Sequence, residues 1–347
     1  MMNTQHLVRP NILALKPYSS ARDEFQGVAS VYIDANENSL GSPVPEDYSR
    51  YPDPQQGELK KAISQIKGVA PEQIFLGNGS DEAIDMLMRA FCEPGKDNII
   101  LLPPTYGMYS VQANIHGCEI RRVPLRPDFS PDAAAVLAAT DAHTKLLFLC
   151  SPNNPTGNCL PDAFLLDMLH RFPGIVVIDE AYIDFSTKGS ALRWLEDFPN
   201  LVILQTLSKA WGLAALRIGM AFSNVFNISI LNKIKYPYNI SIANIRLAAE
   251  ALQNADIVQE KVAILLQERK RLEAELPKLA CILEVYPSDA NFLLVRTTDA
   301  DGIYQYLSSK GIITRNRTRE MHCENCLRMT VGTPEENTAL LSALLIK

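Results

Sequence analysis

Between about residues 70 and 225, short runs rich in apolar and β-branched residues alternate with longer stretches whose apolar positions recur at helical spacing. This pattern predicts strands over 73–76, 98–102, 119–123, 145–150, 174–178, 201–206 and 216–222. Several of these runs are apolar at every position, as strands buried on both faces of a parallel sheet require. Helices are predicted over 81–92, 106–116, 131–139 and 162–171, and turns such as Glu93-Pro94-Gly95 and Phe172-Pro173-Gly174 punctuate the joints. Such alternation indicates an α/β fold, a mostly parallel central sheet between helices.

Beyond residue 240 the pattern changes. One long helical stretch over 242–276 leads into strands over 282–286, 291–296 and 327–331, interleaved with helices over 301–310 and 334–346. The last helix opens on Thr333-Pro334-Glu335-Glu336: a capping residue, proline at the first helical position and acids in the first turn. The first fifty residues, with Pro10, Pro17, Pro43 and Pro45, have few periodic stretches. The expected organisation is an N-terminal arm and part of a smaller domain over 1–50, a large domain over 51–240, and a small α+β C-terminal domain over 241–347.

Composition narrows the class. With 47% hydrophobic and 21% charged residues in 347, the chain has the make-up of a soluble globular protein. Its longest apolar runs, near 146–150 and 175–178, are far too short to span a bilayer. No apolar segment follows a basic start at the N-terminus, so a cytoplasmic location is expected. Seven cysteines without regular spacing fit a reducing compartment. Cys323-Glu324-Asn325-Cys326, preceded by His322, lacks the second ligand pair of a zinc site, so no metal and a turn between strands are expected there. The net charge is −6, and only Arg315, Arg317 and Arg319 cluster, which argues against a nucleic-acid partner.

Four segments carry candidate chemistry. In Leu76-Gly77-Asn78-Gly79-Ser80-Asp81-Glu82 a strand passes through small residues into a helix, leaving free backbone N–H groups and a helix N-terminus that suit a phosphate. Ser80 and Asp81 equally fit a plain helix cap. The loop Cys150-Ser151-Pro152-Asn153-Asn154-Pro155-Thr156-Gly157 follows a strand, at the sheet edge where open α/β folds place ligands, although Pro and Asn also make ordinary turns. Ile175-Val176-Val177-Ile178-Asp179-Glu180-Ala181-Tyr182 ends a buried strand on two acids, costly unless paired with a cation or a hydrogen-bond donor; a protonated heterocycle would be such a partner, and a structural salt bridge is the alternative. Finally, Thr206-Leu207-Ser208-Lys209 brings a lysine beside hydroxyls, and Arg217 follows eight residues later. A lysine near a second cation can lose its proton at neutral pH and act as an amine nucleophile; an exposed loop lysine is the alternative.

The order of these parts, with Pro103-Pro104-Thr105-Tyr106 between the first and second, resembles the fold-type I aminotransferases dependent on pyridoxal phosphate (PLP), and most closely the histidinol-phosphate aminotransferase family. The resemblance runs nearly end to end, through Leu15-Lys16-Pro17-Tyr18-Ser19-Ser20-Ala21-Arg22, Ile33-Asp34-Ala35-Asn36-Glu37-Asn38, Arg50-Tyr51-Pro52-Asp53-Pro54 and Leu327-Arg328-Met329-Thr330-Val331-Gly332. It implies a large PLP-binding domain, a smaller α+β domain and a homodimer. Lys209 would link covalently to PLP and move the proton during transamination, with Asp179 on the pyridine nitrogen and Tyr182 and Asn154 at the phenolic oxygen. Tyr106 would stack on the ring, and Gly79, Ser80, Asp81, Thr206, Ser208 and Arg217 would surround the cofactor, chiefly at its phosphate. Tyr51 matches the position from which this family reaches into the partner subunit's site.

For substrate, the resemblance implies histidinol phosphate and glutamate or 2-oxoglutarate, in histidine biosynthesis. Arg328 matches the carboxylate-gripping arginine, Asn154 lies beside the substrate, and Tyr18 and Arg315 fall where the family places phosphate contacts. The segment from Thr314 to Arg328 departs from the family's pattern and offers Arg317 and Arg319 as well. A PLP lyase acting on threonine phosphate and an aromatic amino-acid aminotransferase would share most of these residues. A regulator built on the same fold would need an attached DNA-binding module, for which the segment before residue 30 is too short.

Overall fold

A computed structural model describes residues 4–18 and 30–346. Residues 19–22 of the N-terminal motif, Arg22 among them, lie outside the described residues.

Among the described residues the seven predicted strands of the first half form one sheet: β1 (Ile74–Asn78), β2 (Asn98–Leu101), β3 (Glu119–Arg122), β4 (Thr144–Cys150), β5 (Ile175–Asp179), β6 (Leu201–Thr206) and β7 (Ile218–Phe222). Their order is β1-β7-β6-β5-β4-β2-β3. Every pairing is parallel except the two made by β7, which runs antiparallel to both β1 and β6. The all-apolar runs have the expected cause. Leu147, Leu149, Val176 and Ile178 point into one core, and Leu146, Phe148, Ile175 and Val177 into the other.

Helices cover both faces. Gly57–Lys67, Ala133–Ala138, Asp162–Arg171 and Ile242–Leu252 contribute to the first core through Leu59, Val136, Phe164 and Ile245. Ser80–Phe91, Met108–Ile115 and Val225–Ile234 contribute to the second through Ile84, Tyr109 and Leu231. The N-terminal arm, irregular by its sequence, forms a short helix over Pro10–Ala14. Leu7 and Val8 are buried in the second core, and Arg9 holds Glu93 at 3.0 Å.

The second sheet is antiparallel, with β8 (Ile282–Val285), β9 (Phe292–Thr297), β10 (Arg315–Asn316) and β11 (Cys326–Thr330) in the order β10-β11-β9-β8. It packs on helices Ala255–Glu275, Ala300–Ser309 and Pro334–Leu345. The last of these carries the full capping box of Thr333 and Glu336.

The single helix expected over 242–276 is two, Ile242–Leu252 and Ala255–Glu275. Asn254 leaves helical geometry at φ −108°, ψ 39°, and its side chain donates to the Glu250 carbonyl, competing with the helix's own ladder. Cys323 and Cys326 close a turn into β11, with the Cys326 N–H donating to the Cys323 carbonyl at 3.0 Å. Burial pushes these thiols up to about 12 and about 11. No group of three or more His, Cys, Asp or Glu able to hold a metal occurs among the described residues, and no described helix is long and apolar enough to cross a membrane.

Candidate active site

The carboxyl ends of β4, β5 and β6 meet at one edge of the large sheet, where Cys150 pairs with Asp179 and Asp179 with Leu204. Because β7 is reversed, its beginning lies at that same edge, with Gly219 opposite Thr206 and opposite Gly77 of β1. The four chemistry-bearing segments therefore converge. Gly79, Ser80, Asp81, Tyr106, Asn154 and Asp179 line one cavity together with Tyr182, Thr206, Ser208, Lys209 and Arg217.

Lys209 sits on the connection from β6 to β7, a loop tied internally and at its base. Leu213 N–H donates to the Leu207 carbonyl at 3.0 Å, and Leu207 N–H to Ile218 at 3.0 Å. The lysine lies over the Tyr182 ring, with Nζ 5.6 Å from the ring centroid. Burial, then the nearby charges of Arg328 and Arg217, hold its amine below the ordinary lysine range. An ammonium among cations and protein walls loses solvation and gains repulsion, so the free amine is favoured.

Across the cavity, Asp179 is 2% exposed, and burial raises its carboxyl above the usual range. One oxygen accepts the Ala181 N–H at 3.0 Å and the other the Tyr109 hydroxyl at 2.6 Å. Among the described residues no cation stands within ion-pairing distance of it, so a buried carboxylate faces the cavity without a counter-charge. Its neighbour Glu180, on the other side of the strand, is satisfied by Ser190, Ala191 and Gln205.

At the opposite end lies an anion cradle. Helix Ser80–Phe91 begins there, with Gly79 at its cap, and Gly79 N–H donates to the Arg217 carbonyl at 2.8 Å. Arg217 adopts a left-handed conformation, φ 55°, which turns its side chain back over Gly79. A Cβ on Gly219 would stand 2.0 Å from the Gly79 carbonyl carbon, so only glycine lets β7 approach the helix this closely. Thr206 and Ser208 hydroxyls, 3.0 Å apart, complete the cradle.

Beside the lysine, the Asn154 amide donates to the Tyr182 hydroxyl at 3.4 Å and accepts from Arg328 Nη1 at 2.5 Å. Arg328 comes from β11, packs on the Phe292 ring at 5.2 Å, and has a buried Nε without a partner. A guanidinium so placed has donors to offer an incoming acid. Tyr106 donates to Asp81 at 3.1 Å.

Four expected residues stand outside this lining, one of them Arg328, which is joined to it through Asn154. Arg315 is exposed but lies directly opposite Arg328 in the β10–β11 register. Tyr18 is 72% exposed, at the last described residue of the arm. Tyr51 is half exposed and stacks on Tyr238 at 4.4 Å, away from its own chain's cavity. Two residues that line the cavity, Cys150 and Ala181, and Tyr109 behind Asp179, were not singled out as site residues. The spacing of Tyr106 and Tyr109, about one helical turn, was the available signal for the last.

An exposed amine in place of Lys209, or a salt bridge on Asp179, would have left no place for a cofactor. Instead a depressed amine, an uncompensated buried carboxylate and a glycine-lined anion cradle share one cavity, and these residues fit the PLP that the motif order implies.

The model of the aminotransferase class I and II family matches residues 34–344. The chain is 53% identical over 344 residues to a histidinol-phosphate aminotransferase from Parabacteroides distasonis, covering 99% of each chain. It is 54% identical over 345 residues to one from Bacteroides thetaiotaomicron, again covering 99% of each. Among solved structures, it resembles the histidinol-phosphate aminotransferase from Sinorhizobium meliloti in complex with pyridoxal-5'-phosphate, with a TM-score of 0.79 at 26% identity over 90% of this chain and 89% of that one. The fold also matches that of the Clostridium acetobutylicum histidinol-phosphate aminotransferase, with a TM-score of 0.79 at 23% identity, covering 86% of this chain and 90% of that one.

Proposed function

The chain belongs to the class I and II aminotransferases, in their histidinol-phosphate branch, and from that premise we propose that it transfers the amino group between histidinol phosphate and 2-oxoglutarate, yielding imidazole acetol phosphate and glutamate in histidine biosynthesis. The observation that carries this reading is the pairing, within one cavity, of an amine held below its usual range at Lys209 and a buried carboxylate at Asp179.

When bound, PLP supplies an aldehyde for covalent attachment of amines and a ring that accepts the electron pair released at the substrate's α-carbon. The remaining work falls to the chain. Lys209 Nζ would anchor the cofactor and take and return the substrate's α-proton; burial and the nearby Arg328 and Arg217 hold its amine below the ordinary lysine range, which favours the free base for that task. Asp179 would hold a proton on the ring nitrogen, gaining the counter-charge its burial demands. Tyr182 and Asn154 would hold the phenolic oxygen, Tyr106 would cover the ring face, and Gly79, Ser80 and Asp81 with Thr206, Ser208 and Arg217 would hold the phosphate end.

Arg328 grips the acid of glutamate or the phosphate of histidinol phosphate, with Asn154 as its hinge to the large sheet, and Arg315 and Tyr18 add phosphate contacts. The planar fork suits both anions, which is what a site alternating between two substrates needs. Tyr51 reaches the cofactor phosphate of a second copy, so the working unit is a homodimer; its exposure away from its own cavity supports this. Seven free cysteines support a cytoplasmic location.

The test is a set of half-reactions on protein loaded with PLP, followed by visible absorbance. Histidinol phosphate should discharge the cofactor band far more efficiently than phenylalanine, and Lys209→Ala should abolish both the lysine-bound band and turnover. Persistence of both in that variant, or carbon dioxide release from threonine phosphate, would overturn the assignment.

A further inference from the structure

Asp179 keeps its place in the cavity through two donors, and only one of them is backbone. Ala181 N–H reaches Oδ1 at 3.0 Å, a contact within the chain turn itself. The other, the Tyr109 hydroxyl at 2.6 Å from Oδ2, comes from a residue 70 positions away on helix Met108–Ile115. Tyr109 is fully buried, and its ring is fixed on two sides. Phe148 of β4 stacks on it at 4.8 Å and 22°, and Tyr106 meets it edge to face at 5.4 Å and 86°. A buried phenol hydroxyl needs an acceptor, and the ring's confinement leaves this one little freedom to seek another.

We infer that Tyr109 is a positioning residue of the reaction: through its hydroxyl it aims the Asp179 carboxylate at the ring nitrogen of the bound cofactor and favours the ionised form of that carboxylate. The inference rests on the reading of Asp179 given above. Three observations carry it beyond packing.

First, the hydroxyl is aimed at the one cavity-facing acid that lacks a counter-charge among the described residues. A donor to an ionised oxygen stabilises the charged form more than the neutral one. Burial alone opposes ionisation of Asp179, and the Tyr109 hydroxyl is the foremost influence acting the other way.

Second, the bond takes one oxygen while Ala181 takes the other, so rotation of the carboxylate about its χ2 would break both. The lone pairs left over have fixed directions. Third, Tyr109 lies in the first turn of its helix, three residues after Tyr106, which lines the cavity, and the two touch ring to ring. One turn of chain thereby sets both the residue above the ring and the acid at its edge. Cys150, which also lines the cavity, lies beside the same hydroxyl.

Removing the hydroxyl makes Asp179 a stronger base, and the proton shared with the ring nitrogen moves toward the carboxylate. A ring less fully protonated is a poorer electron acceptor, so turnover slows even though no group touching substrate has changed.

The experiment loads wild type, Tyr109→Phe and Asp179→Asn with PLP carrying ¹⁵N in the ring, and reads the nitrogen resonance by NMR beside kcat, KM and the melting temperature. In Tyr109→Phe, which keeps the aromatic packing, the resonance is expected to move part of the way toward that of Asp179→Asn. With it, kcat should fall by roughly tenfold or more while KM for glutamate changes little. A wild-type resonance in Tyr109→Phe, whatever its melting temperature, would mark a purely structural hydroxyl and overturn the inference, provided Asp179→Asn does shift. No shift in Asp179→Asn either would overturn the reading of Asp179 itself, and this inference with it.

Discussion

Arg328 of the small sheet and Asn154 of the large one are joined directly, Nη1 to Oδ1 at 2.5 Å, and the same Asn154 amide donates to Tyr182 at 3.4 Å. The Arg328 guanidinium and the Tyr182 hydroxyl thus share one partner, and the guanidinium is held in a fixed orientation with its Nε unpartnered.

Replacing Arg328 by lysine keeps the charge and removes the fork. Loss of a charge-assisted contact of about 1.5–3 kcal/mol should lower kcat/KM for glutamate roughly ten- to hundredfold, mostly through KM. Steady-state kinetics check this; unchanged kcat/KM would remove Arg328 from substrate binding.

Gly219→Ala should break the cradle from behind. The new methyl group would stand 2.0 Å from the Gly79 carbonyl carbon and 2.1 Å from Ser80 N, both backbone atoms of the helix start. Overpacking of this kind costs about 1–3 kcal/mol or more. A lower denaturant midpoint with faster loss of PLP on dialysis is expected, whereas Gly107→Ala, which meets nothing within 4 Å, should behave as wild type.

Lys60 offers a pH test unconnected to the site. It is 6% exposed on helix Gly57–Lys67, and burial, with Lys235 nearby, lowers it from 10.5 to about 8. Between those values the unfolded chain binds a proton that the folded chain does not, so this residue makes stability rise with pH across that window. At pH 7 it is charged in both states and its desolvation counts fully against the fold. Lys60→Met should therefore stabilise by up to about 3 kcal/mol at pH 7, with the gain shrinking toward pH 10.5. A gain independent of pH, read from denaturant midpoints, would contradict this origin.

The large sheet was legible because its strands are buried on both faces, and continuous apolar runs such as 146–149 admit few other readings. The convergence of the polar residues just after those runs on one cavity was legible because parallel strands bring their carboxyl ends to one edge. Helix Val225–Ile234 was not expected. Its Val, Phe and Ile residues favour strand as readily as helix, and the Asn224 side chain accepting from Asn227 N–H fixes the helical start. The break at Asn254 escaped notice because apolar spacing continues across it. Tyr109 is a different case: its helical spacing from Tyr106 is visible in the sequence, but its partner Asp179 is 70 residues away, and that spacing alone does not name the partner.

The reversed strand β7 has a further consequence. With Thr206 opposite Gly219, the excursion carrying Lys209 is a closed bight of twelve residues, pinned at its neck by sheet hydrogen bonds and threaded internally by its own. Lys209 hangs from a short tether with both ends fixed to the same rigid edge that bears Asp179. The reach of the amine is set by that tether's length, so its distance from the acid is a property of chain connectivity before it is a property of any side chain.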